Sequence, residues 1–455
     1  MKKIIFALVL WLSMSIAYSQ KSVFDNEDEL YVKYKDKVEM IIKESEKDNT
    51  SYNKLAYLCD TYGNRLSGSE GLEKALGWIY QSMIKDNMEN VQLDDVLVPN
   101  WKRGKESCEL LFPRIAKIKM LALGNSLGTG PEGVTAEVYV VSSKEELQKN
   151  PEKAKGKIVL FNAVFKSYGE TVQFRFSGAQ WAAEAGAVAS MIRSVSPHDM
   201  NSPHTGVMSY GESARKIPHI AITSEDADML QRMQERGQKP VVKIYSEAHF
   251  LPDALSHNVM SEVVGYEKPD EVIVAGGHID SWDIGTGAMD DGGGCVTTWE
   301  AVRIIKDLKL KPKRTIRVCN WTNEENGSAG GKAYAELHKK EKHIMGFEFD
   351  VGVFAPSHIR FSGDEKVFKK IKNFEKLLKL VDKNIVVAEG GGGADISHIV
   401  KQANIPAMSL STGEESHYFW YHHSDTDTMD KISPSDMQKC VSAIAVTLYL
   451  YSEMD

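Results

Sequence analysis

Two closely spaced motifs carry the side chains best suited to chemistry. Residues 278–281 read HIDS and residues 287–294 read GAMDDGGG, so an imidazole and several carboxylates fall within a short stretch. The apolar run 271–275 predicts a buried strand before His278, and apolar residues at helical spacing predict a helix over 295–310. Because ligands gather beyond the carboxyl ends of strands in open α/β sheets, these groups suggest a metal site, with a two-zinc hydrolase as the hypothesis.

Further ligand candidates follow later predicted strands. Residues 323–328 (NEENGS) come after a strand predicted over 314–321, Asp350 falls within a strand predicted over 344–351, and His423 lies in a polar-aromatic loop, 417–428. Each residue alone is weak evidence, since a lone Asp after a strand is usually a turn residue and a lone His is usually structural. The conjunction favours a metal site. The candidate ligands are His278, Asp290, Glu325, Asp350 and His423.

The elements that must position these residues predict an α/β fold. Strands and helices alternate over 251–455, which indicates a mainly parallel sheet flanked by helices on both faces. Residues 20–112 are assigned to the same catalytic domain, with helices over 23–46 and 70–86 and a strand over 91–98. The rest of that domain includes an amphipathic helix predicted over 365–380.

The stretch 113–250 has a different character and is predicted to be a smaller inserted α/β domain. Strand-like segments such as 158–161 and 186–192 flank a helix predicted over 178–185. Few residues in this insert suggest chemistry. Four scattered histidines are interpreted as structural or exposed: His198, His204, His219 and His249.

Composition and the amino terminus narrow the class of protein. At 455 residues, two domains are the default expectation, and a net charge of −8 gives no electrostatic reason to expect nucleic acid or an anionic membrane as partner. A basic start, an apolar run over 4–17 and small residues before Gln20 predict a secretory signal peptide, residues 1–19. No other stretch is long and apolar enough to span a bilayer. We therefore expect an exported protein.

The five cysteines do not form a recognisable framework. They are scattered, odd in number and without a CxxC pair, so neither a thiolate metal site nor a set of disulfides is supported.

Together, the motifs resemble the co-catalytic di-zinc exopeptidase family, which includes secreted bacterial aminopeptidases, glutamate carboxypeptidase and the transferrin receptor ectodomain. The resemblance covers nearly all of the mature chain. It rests on HID, GAMDDGGG, NEENGSAG (323–330), an Asp at a strand end and HHSDTDT (422–428), with further support from GNRLSGSEGLEKA (63–75). The insert resembles the protease-associated domain through GKIVLF (156–161) and AGAVASMI (185–192), and the implied role is to shape access to the cleft or to aid assembly.

The resemblance implies two Zn²⁺ ions per chain. Asp290 would bridge both ions, His278 and Asp350 would complete one site, and Glu325 and His423 would complete the other. Zinc accepts imidazole and carboxylate ligands and keeps a position open when it is catalytic. Two ions about 3.5–4 Å apart can share a water and lower its pKa.

The resemblance also implies roles beside the metals. Asp280 matches the acid that orients His278, and Glu324 matches the general base. Several family members place a Tyr directly before the last His ligand as an oxyanion donor; here that position is His422, so His422 is the oxyanion candidate and Tyr421 the reserve. Asp395, after a glycine run, is expected either to line the substrate pocket or to cap the following helix.

The resulting prediction is a secreted zinc exopeptidase that removes amino-terminal residues from dipeptides or short peptides. Two alternatives stand beside it: a glutaminyl-cyclase-like acyl transferase, which uses one zinc, and a non-catalytic receptor-like domain, which has lost its metal ligands. The number of bound metal ions per chain would distinguish these three functions: two for the exopeptidase, one for the acyl transferase and none for the receptor-like domain. The relatives also imply a possible homodimer.

Overall fold

The computed structural model describes residues 22–213, 215–413 and 415–455, so the predicted signal peptide lies outside the described residues. Two eight-stranded sheets with flanking helices make up the fold, which confirms the predicted α/β class. Within the described ranges, no helix combines the length and the apolar character that a membrane span requires.

The strands are numbered in chain order across both sheets. They are β1 (Glu89–Lys102), β2 (Glu106–Phe112), β3 (Ala116–Ile118), β4 (Met120–Ala122), β5 (Val134–Val141), β6 (Ile158–Phe161), β7 (Ala189–Arg193), β8 (His219–Ile222), β9 (Val241–Ser246), β10 (His249–Val263), β11 (Lys268–His278), β12 (Arg314–Trp321), β13 (Lys342–Glu348), β14 (Pro356–Ser362), β15 (Val386–Glu389) and β16 (Ala407–Thr412).

The helices pack on the faces of the two sheets. They are α1 (Glu27–Ser45), α2 (Thr50–Tyr62), α3 (Glu70–Lys85), α4 (Lys144–Lys149), α5 (Tyr168–Glu184), α6 (Ser224–Glu235), α7 (Gly293–Asp307), α8 (Ala329–Leu337), α9 (Glu365–Lys372), α10 (Glu375–Leu378), α11 (Ile396–Ala403), α12 (Glu415–Tyr421) and α13 (Pro434–Glu453).

The first sheet has the order β1-β10-β12-β11-β13-β16-β14-β15. Its centre is parallel, because β11 pairs in parallel with β12 and β13, and β13 pairs in parallel with β16. β12 is buried along its whole length and β11 is buried from Val272 to His278, as expected of central parallel strands that are covered on both faces. Because these strands run in the same direction, the segments that follow them meet at one edge of the sheet. The candidate ligands all lie in or beside those segments.

The second sheet has the order β3-β2-β9-β5-β6-β7-β8-β4 and a core of its own. It begins at Glu106, before the predicted insert boundary at residue 113, because β2 pairs with β9. The chain passes between the two sheets twice, from β1 to β2 and from β9 to β10, and β1 and β10 pair as a long antiparallel ribbon at the edge of the first sheet.

Several predicted elements differ from the observed ones. The predicted strand 344–351 ends at Glu348, so Asp350 lies in the loop that follows β13. The predicted helix 365–380 is interrupted between α9 and α10. The predicted helix 178–185 is only the end of α5, which begins ten residues earlier at Tyr168, and residues 415–421 form the short helix α12 where a loop was expected.

Candidate metal centre and active-site cavity

Asp290 lies between the other candidate ligands. One of its carboxylate oxygens, Oδ1, lies 3.2 Å from His278 Nε2, and the other, Oδ2, lies 3.3 Å from His423 Nε2. His278 Nε2 is also 3.7 Å from Asp350 Oδ1, and His423 Nε2 is 2.9 Å from Glu325 Oε2. The structure therefore brings all five predicted ligands together, in two groups on either side of Asp290.

Asp280 connects this cluster to the adjacent glutamates. Its carboxylate accepts hydrogen bonds from the backbone N–H of Glu324 (3.0 Å) and of Glu325 (3.2 Å). The same carboxylate lies 3.7 Å from His278 Nδ1, which has the backbone carbonyl of Asp280 as its closer partner at 3.0 Å. The Asp280 side chain thus positions the glutamate loop, and its backbone oxygen orients His278.

His422 and His423 stack on each other at the end of α12. Their ring centroids are 3.4 Å apart, and His422 Nε2 lies 3.7 Å from Asp290 Oδ2. Burial lowers the pKa of His422 to about 3, so its imidazole is neutral near pH 7 and carries one N–H. His422 lines the active-site cavity, whereas Tyr421 is not among the residues that line it.

The cluster has the properties of a cation site. Three buried polar atoms have no hydrogen-bond partner among the described residues: Asp290 Oδ2, Glu325 Oε1 and His422 Nδ1. Burial, together with the neighbouring carboxylates, raises the pKa of Glu325 well above its usual value, which shows that like charges are concentrated here. Buried charges require a partner or a metal, and imidazole with carboxylate oxygens is a ligand set that zinc prefers. The residues present therefore fit zinc.

Glu324 is the candidate proton acceptor. Burial raises the pKa of its carboxyl to about 7; the charge of His278 opposes that rise, and Asp350 adds to it. No side-chain hydrogen bond occupies the Glu324 carboxylate among the described contacts, and the side chain lines the same cavity as Asp290. A carboxylate in this setting can accept a proton from water.

Two residues that the sequence did not single out build the turn that carries Asp290. Asp427 accepts backbone hydrogen bonds from Ala288 (3.0 Å), Met289 (2.7 Å) and Asp290 (3.2 Å). Arg65, which is fully buried, donates to backbone carbonyls on both sides of the turn, including those of Ile279, Thr286 and Gly287.

Both residues left a signal in the sequence. Arg65 is a lone arginine in a loop of small residues, and Asp427 is one of two acids in HHSDTDT.

Glycine has a steric role where α7 begins. A Cβ added at Gly294 would lie 1.9 Å from the backbone oxygen of Phe349, so only glycine lets α7 approach the segment that carries Asp350. The glycine run after Asp290 is therefore a packing requirement.

A cavity of about 720 Å³ opens onto the cluster, and the second sheet contributes one of its walls. From α5, Tyr168 and Arg175 line this cavity. Arg175 is buried, donates to Tyr168 Oη (2.8 Å), and lies 3.1 Å from His423 Nδ1. Within the described residues no carboxylate pairs with this guanidinium, and its Nε has no partner. Arg175 is therefore a buried positive charge facing the cavity, and the sequence did not reveal it.

Asp395 has neither of the roles expected of it. It occupies the N-cap position of α11, but its side chain makes no capping hydrogen bond. It is buried, and it is not among the residues that line the cavity. The chain turns into α11 here with a helical backbone at Asp395, which directs the carboxylate into the protein interior.

Comparison with protein families gives a single consistent result. Residues 258–448 match peptidase family M28. Carboxypeptidase Q of Mus musculus is 44% identical over 409 residues, which cover 90% of this chain and 86% of that protein. Carboxypeptidase Q of Xenopus laevis is 45% identical over 428 residues, covering 93% and 90% respectively.

Solved structures extend the similarity to three dimensions. A peptidase M28 precursor from Shewanella amazonensis superposes with a TM-score of 0.89 at 31% identity, over 94% of this chain and 98% of that one. A zinc aminopeptidase from Bacillus subtilis shares the fold, with a TM-score of 0.67 at 20% identity over 89% of this chain and 97% of that one.

Proposed function

Because the chain belongs to peptidase family M28 and is therefore a zinc-dependent exopeptidase, we propose that it releases the amino-terminal residue from dipeptides or other short peptides. The observation that carries this proposal is the buried cluster around Asp290 at the floor of a cavity whose wall holds Glu324. A cavity of about 720 Å³ lies within the range typical of small-molecule sites, about 300–1,000 Å³.

Two zinc ions are proposed, with the ligands divided as the geometry divides them. His278 and Asp350 would hold one ion, Glu325 and His423 would hold the other, and the carboxylate of Asp290 lies within reach of both groups. When bound, zinc acts as a Lewis acid that polarises a carbonyl oxygen and makes a nearby water more acidic. Two unpartnered carboxylate oxygens of these ligands, Asp290 Oδ2 and Glu325 Oε1, support this assignment.

Glu324 moves the proton. Its carboxylate accepts a proton from the attacking water and then passes it to the nitrogen of the leaving amino acid. Asp280 holds the backbone of Glu324 and Glu325 in place, so that one side chain can face the metal while its neighbour faces the water. His422, neutral and stacked on His423, is proposed to donate its one N–H to the oxyanion that develops on the substrate.

The cavity wall that the second sheet contributes is suited to short substrates with a free carboxylate. Arg175 is buried at this wall without an acidic partner among the described residues, and a buried charge is costly until it is paired. A dipeptide places its terminal carboxylate one residue away from the scissile carbonyl, within the same cavity. This arrangement favours a dipeptidase over an enzyme that processes long chains.

The decisive experiment measures amino-acid release by zinc-loaded protein from free dipeptides, their N-acetyl forms and longer peptides. Cleavage that requires the free amine, with two zinc ions per chain confirmed by elemental analysis, is the expected result. No release from any substrate at full zinc occupancy would refute the peptidase proposal. One zinc per chain would instead support the acyl-transferase alternative.

Three further proposals concern export, the role of the insert and the oligomeric state. Residues 1–19 are removed during export, which amino-terminal sequencing of the mature protein tests. Residues 113–250 act as a protease-associated insert that shapes the cavity, as the position of Arg175 supports. The chain forms a homodimer, which light scattering coupled to gel filtration tests.

A further inference from the structure

The segment that carries His422 and His423 is held by the second sheet. Thr205, in the loop between β7 and β8, donates its backbone N–H to the carbonyl of His423 at 2.8 Å. His204 Nδ1 lies 2.6 Å from the carbonyl of His422. One turn earlier, Ser196 Oγ donates to the carbonyl of Phe419 at 2.7 Å. Three successive contacts from one loop thus fix the backbone on which a candidate ligand sits.

The backbone of His423 needs such support. Its φ is +62°, in the left-handed region that only a few per cent of non-glycine residues adopt. Such conformations are strained and persist only where the surrounding structure holds them in place. Thr205 and His204, which lie outside the catalytic sheet, hold the backbone of His423 in this conformation.

The side chain of His423 is oriented by the same loop. A histidine that ligates metal through Nε2 must carry its proton on Nδ1, and the Thr205 carbonyl lies 3.2 Å from that nitrogen. Arg175 Nη1 also lies close to Nδ1, but it is a donor and cannot accept the proton; it reaches the Thr205 carbonyl instead, at 3.4 Å. The acceptor that fixes this tautomer is therefore a backbone oxygen of the second sheet's loop.

His204 is suited to its position. It is buried, and burial lowers its pKa to about 4, so the ring is neutral near pH 7 and carries a single N–H. The short contact to the His422 carbonyl places that hydrogen on Nδ1. The ring therefore serves as a fixed donor to the backbone of the ligand segment.

We propose that His204, acting with the backbone of Thr205, is a positioning residue for the zinc ion held by Glu325 and His423, so that the second sheet completes this metal site. The inference rests on the proposed assignment of His423 as a ligand. Partners that orient metal-bound histidines typically change metal affinity about 10- to 100-fold when they are removed. His278 and Asp350, which would hold the other zinc ion, make no hydrogen bond or ion pair with this loop among the described residues, so the affinity of that ion should be unaffected.

The test measures zinc binding, not turnover. His204→Leu removes the donor and keeps an apolar side chain in the buried position, whereas His204→Asn retains an amide N–H close to the place of Nδ1. His219→Leu is the matched control, because His219 is an equally buried histidine of the same sheet whose ring contacts Ser190 and the carbonyls of Phe174 and Arg175, not the His422 segment. Chelator competition gives the two zinc affinities, and thermal unfolding of the metal-free proteins gives the structural cost.

We expect His204→Leu to weaken one of the two zinc ions 10- to 100-fold and leave the other unchanged, His204→Asn to restore most of the affinity, and His219→Leu to bind both ions normally. Two unchanged affinities in His204→Leu, or an equal loss in His219→Leu, would overturn the proposal. Should His204→Leu not fold, Ser196→Ala, which removes the contact to Phe419, must weaken the same ion to a smaller degree. His423→Ala tests the premise separately: if it keeps both ions, the ligand assignment is wrong.

Discussion

Replacing Arg175 with methionine should slow the hydrolysis of dipeptides with a free carboxyl terminus more than that of dipeptides with a carboxyl-terminal amide. Arg175 is 4% exposed; its Nη2 donates to Tyr168 Oη, its Nη1 donates to the Thr205 carbonyl, and its buried Nε has no partner. The second N–H of Nη2 has no partner among the described hydrogen bonds, and one charge-assisted hydrogen bond from it to the substrate would contribute about 1.5–3 kcal/mol. The expected loss in kcat/KM for a free dipeptide is about 10- to 150-fold.

The assay compares a free dipeptide with the same dipeptide carrying a carboxyl-terminal amide. The wild-type enzyme should prefer the free acid, and Arg175→Met should lose most of that preference while hydrolysing the amide at a similar rate. Arg193→Met is the control, because Arg193 lies on β7 of the same sheet and pairs with Asp228. Equal losses on both substrates at normal zinc content would refute the reasoning and leave Arg175 with a structural role only.

Three other predictions concern the base, the metal and pH. Glu324→Gln should bind both zinc ions yet lose about 10²- to 10⁴-fold in kcat; normal turnover would remove the assignment of the base. Extraction of metal with a chelator should abolish peptide hydrolysis, and two equivalents of zinc, but not one, should restore it. Burial alone would lower the pKa of His338, but its hydrogen bonds with Asp94 and Glu341 outweigh burial and raise the pKa to about 9. The protonated His338 therefore stabilises the fold fully below about pH 6.5, and this stabilisation is lost as the pH rises through 9. In urea unfolding, His338→Gln should lower the free energy of unfolding by about 2–3 kcal/mol more at pH 6 than at pH 10. A loss of stability that is the same at both pH values would contradict this.

The catalytic sheet was predictable because its signals are local. The apolar run before His278 and the glycine turn at Asp290 each report a strand end or a helix start within a few residues. Parallel strands then bring their ends to one edge whatever the details of packing. The structure places all five predicted ligands at that edge, and their roles as zinc ligands stay a prediction until metal is measured.

The wall of the cavity was not predictable in the same way. Tyr168 and Arg175 belong to the first half of α5, whose polar residues weaken the helical apolar pattern, so the helix was predicted only from residue 178. That half divides its contacts, because Arg175 and Phe176 line the cavity whereas Phe174 packs against the core of its own sheet. Its contact with His423 joins residues 248 positions apart, and no short-range pattern reports such a contact.

Asp395 shows a related limit of prediction from local sequence. A glycine run followed by Asp is typical of a helix cap, yet the Asp395 side chain is turned inward and makes no capping hydrogen bond. Local propensity places the helix start correctly and does not determine which way the carboxylate points. The direction depends on how α11 packs on the sheet.

The double contact between Thr205 and His423 has a consequence for motion. Thr205 donates to His423 and offers its carbonyl to the His423 ring, so the two sheets cannot swing apart without breaking both bonds. Peptides must then enter and amino acids leave past the exposed side chains at the mouth of the cavity, of which Phe176 is 46% exposed. Turnover would then require no separation of the two sheets, and the amide proton of Thr205 should exchange with solvent as slowly during turnover as it does at rest.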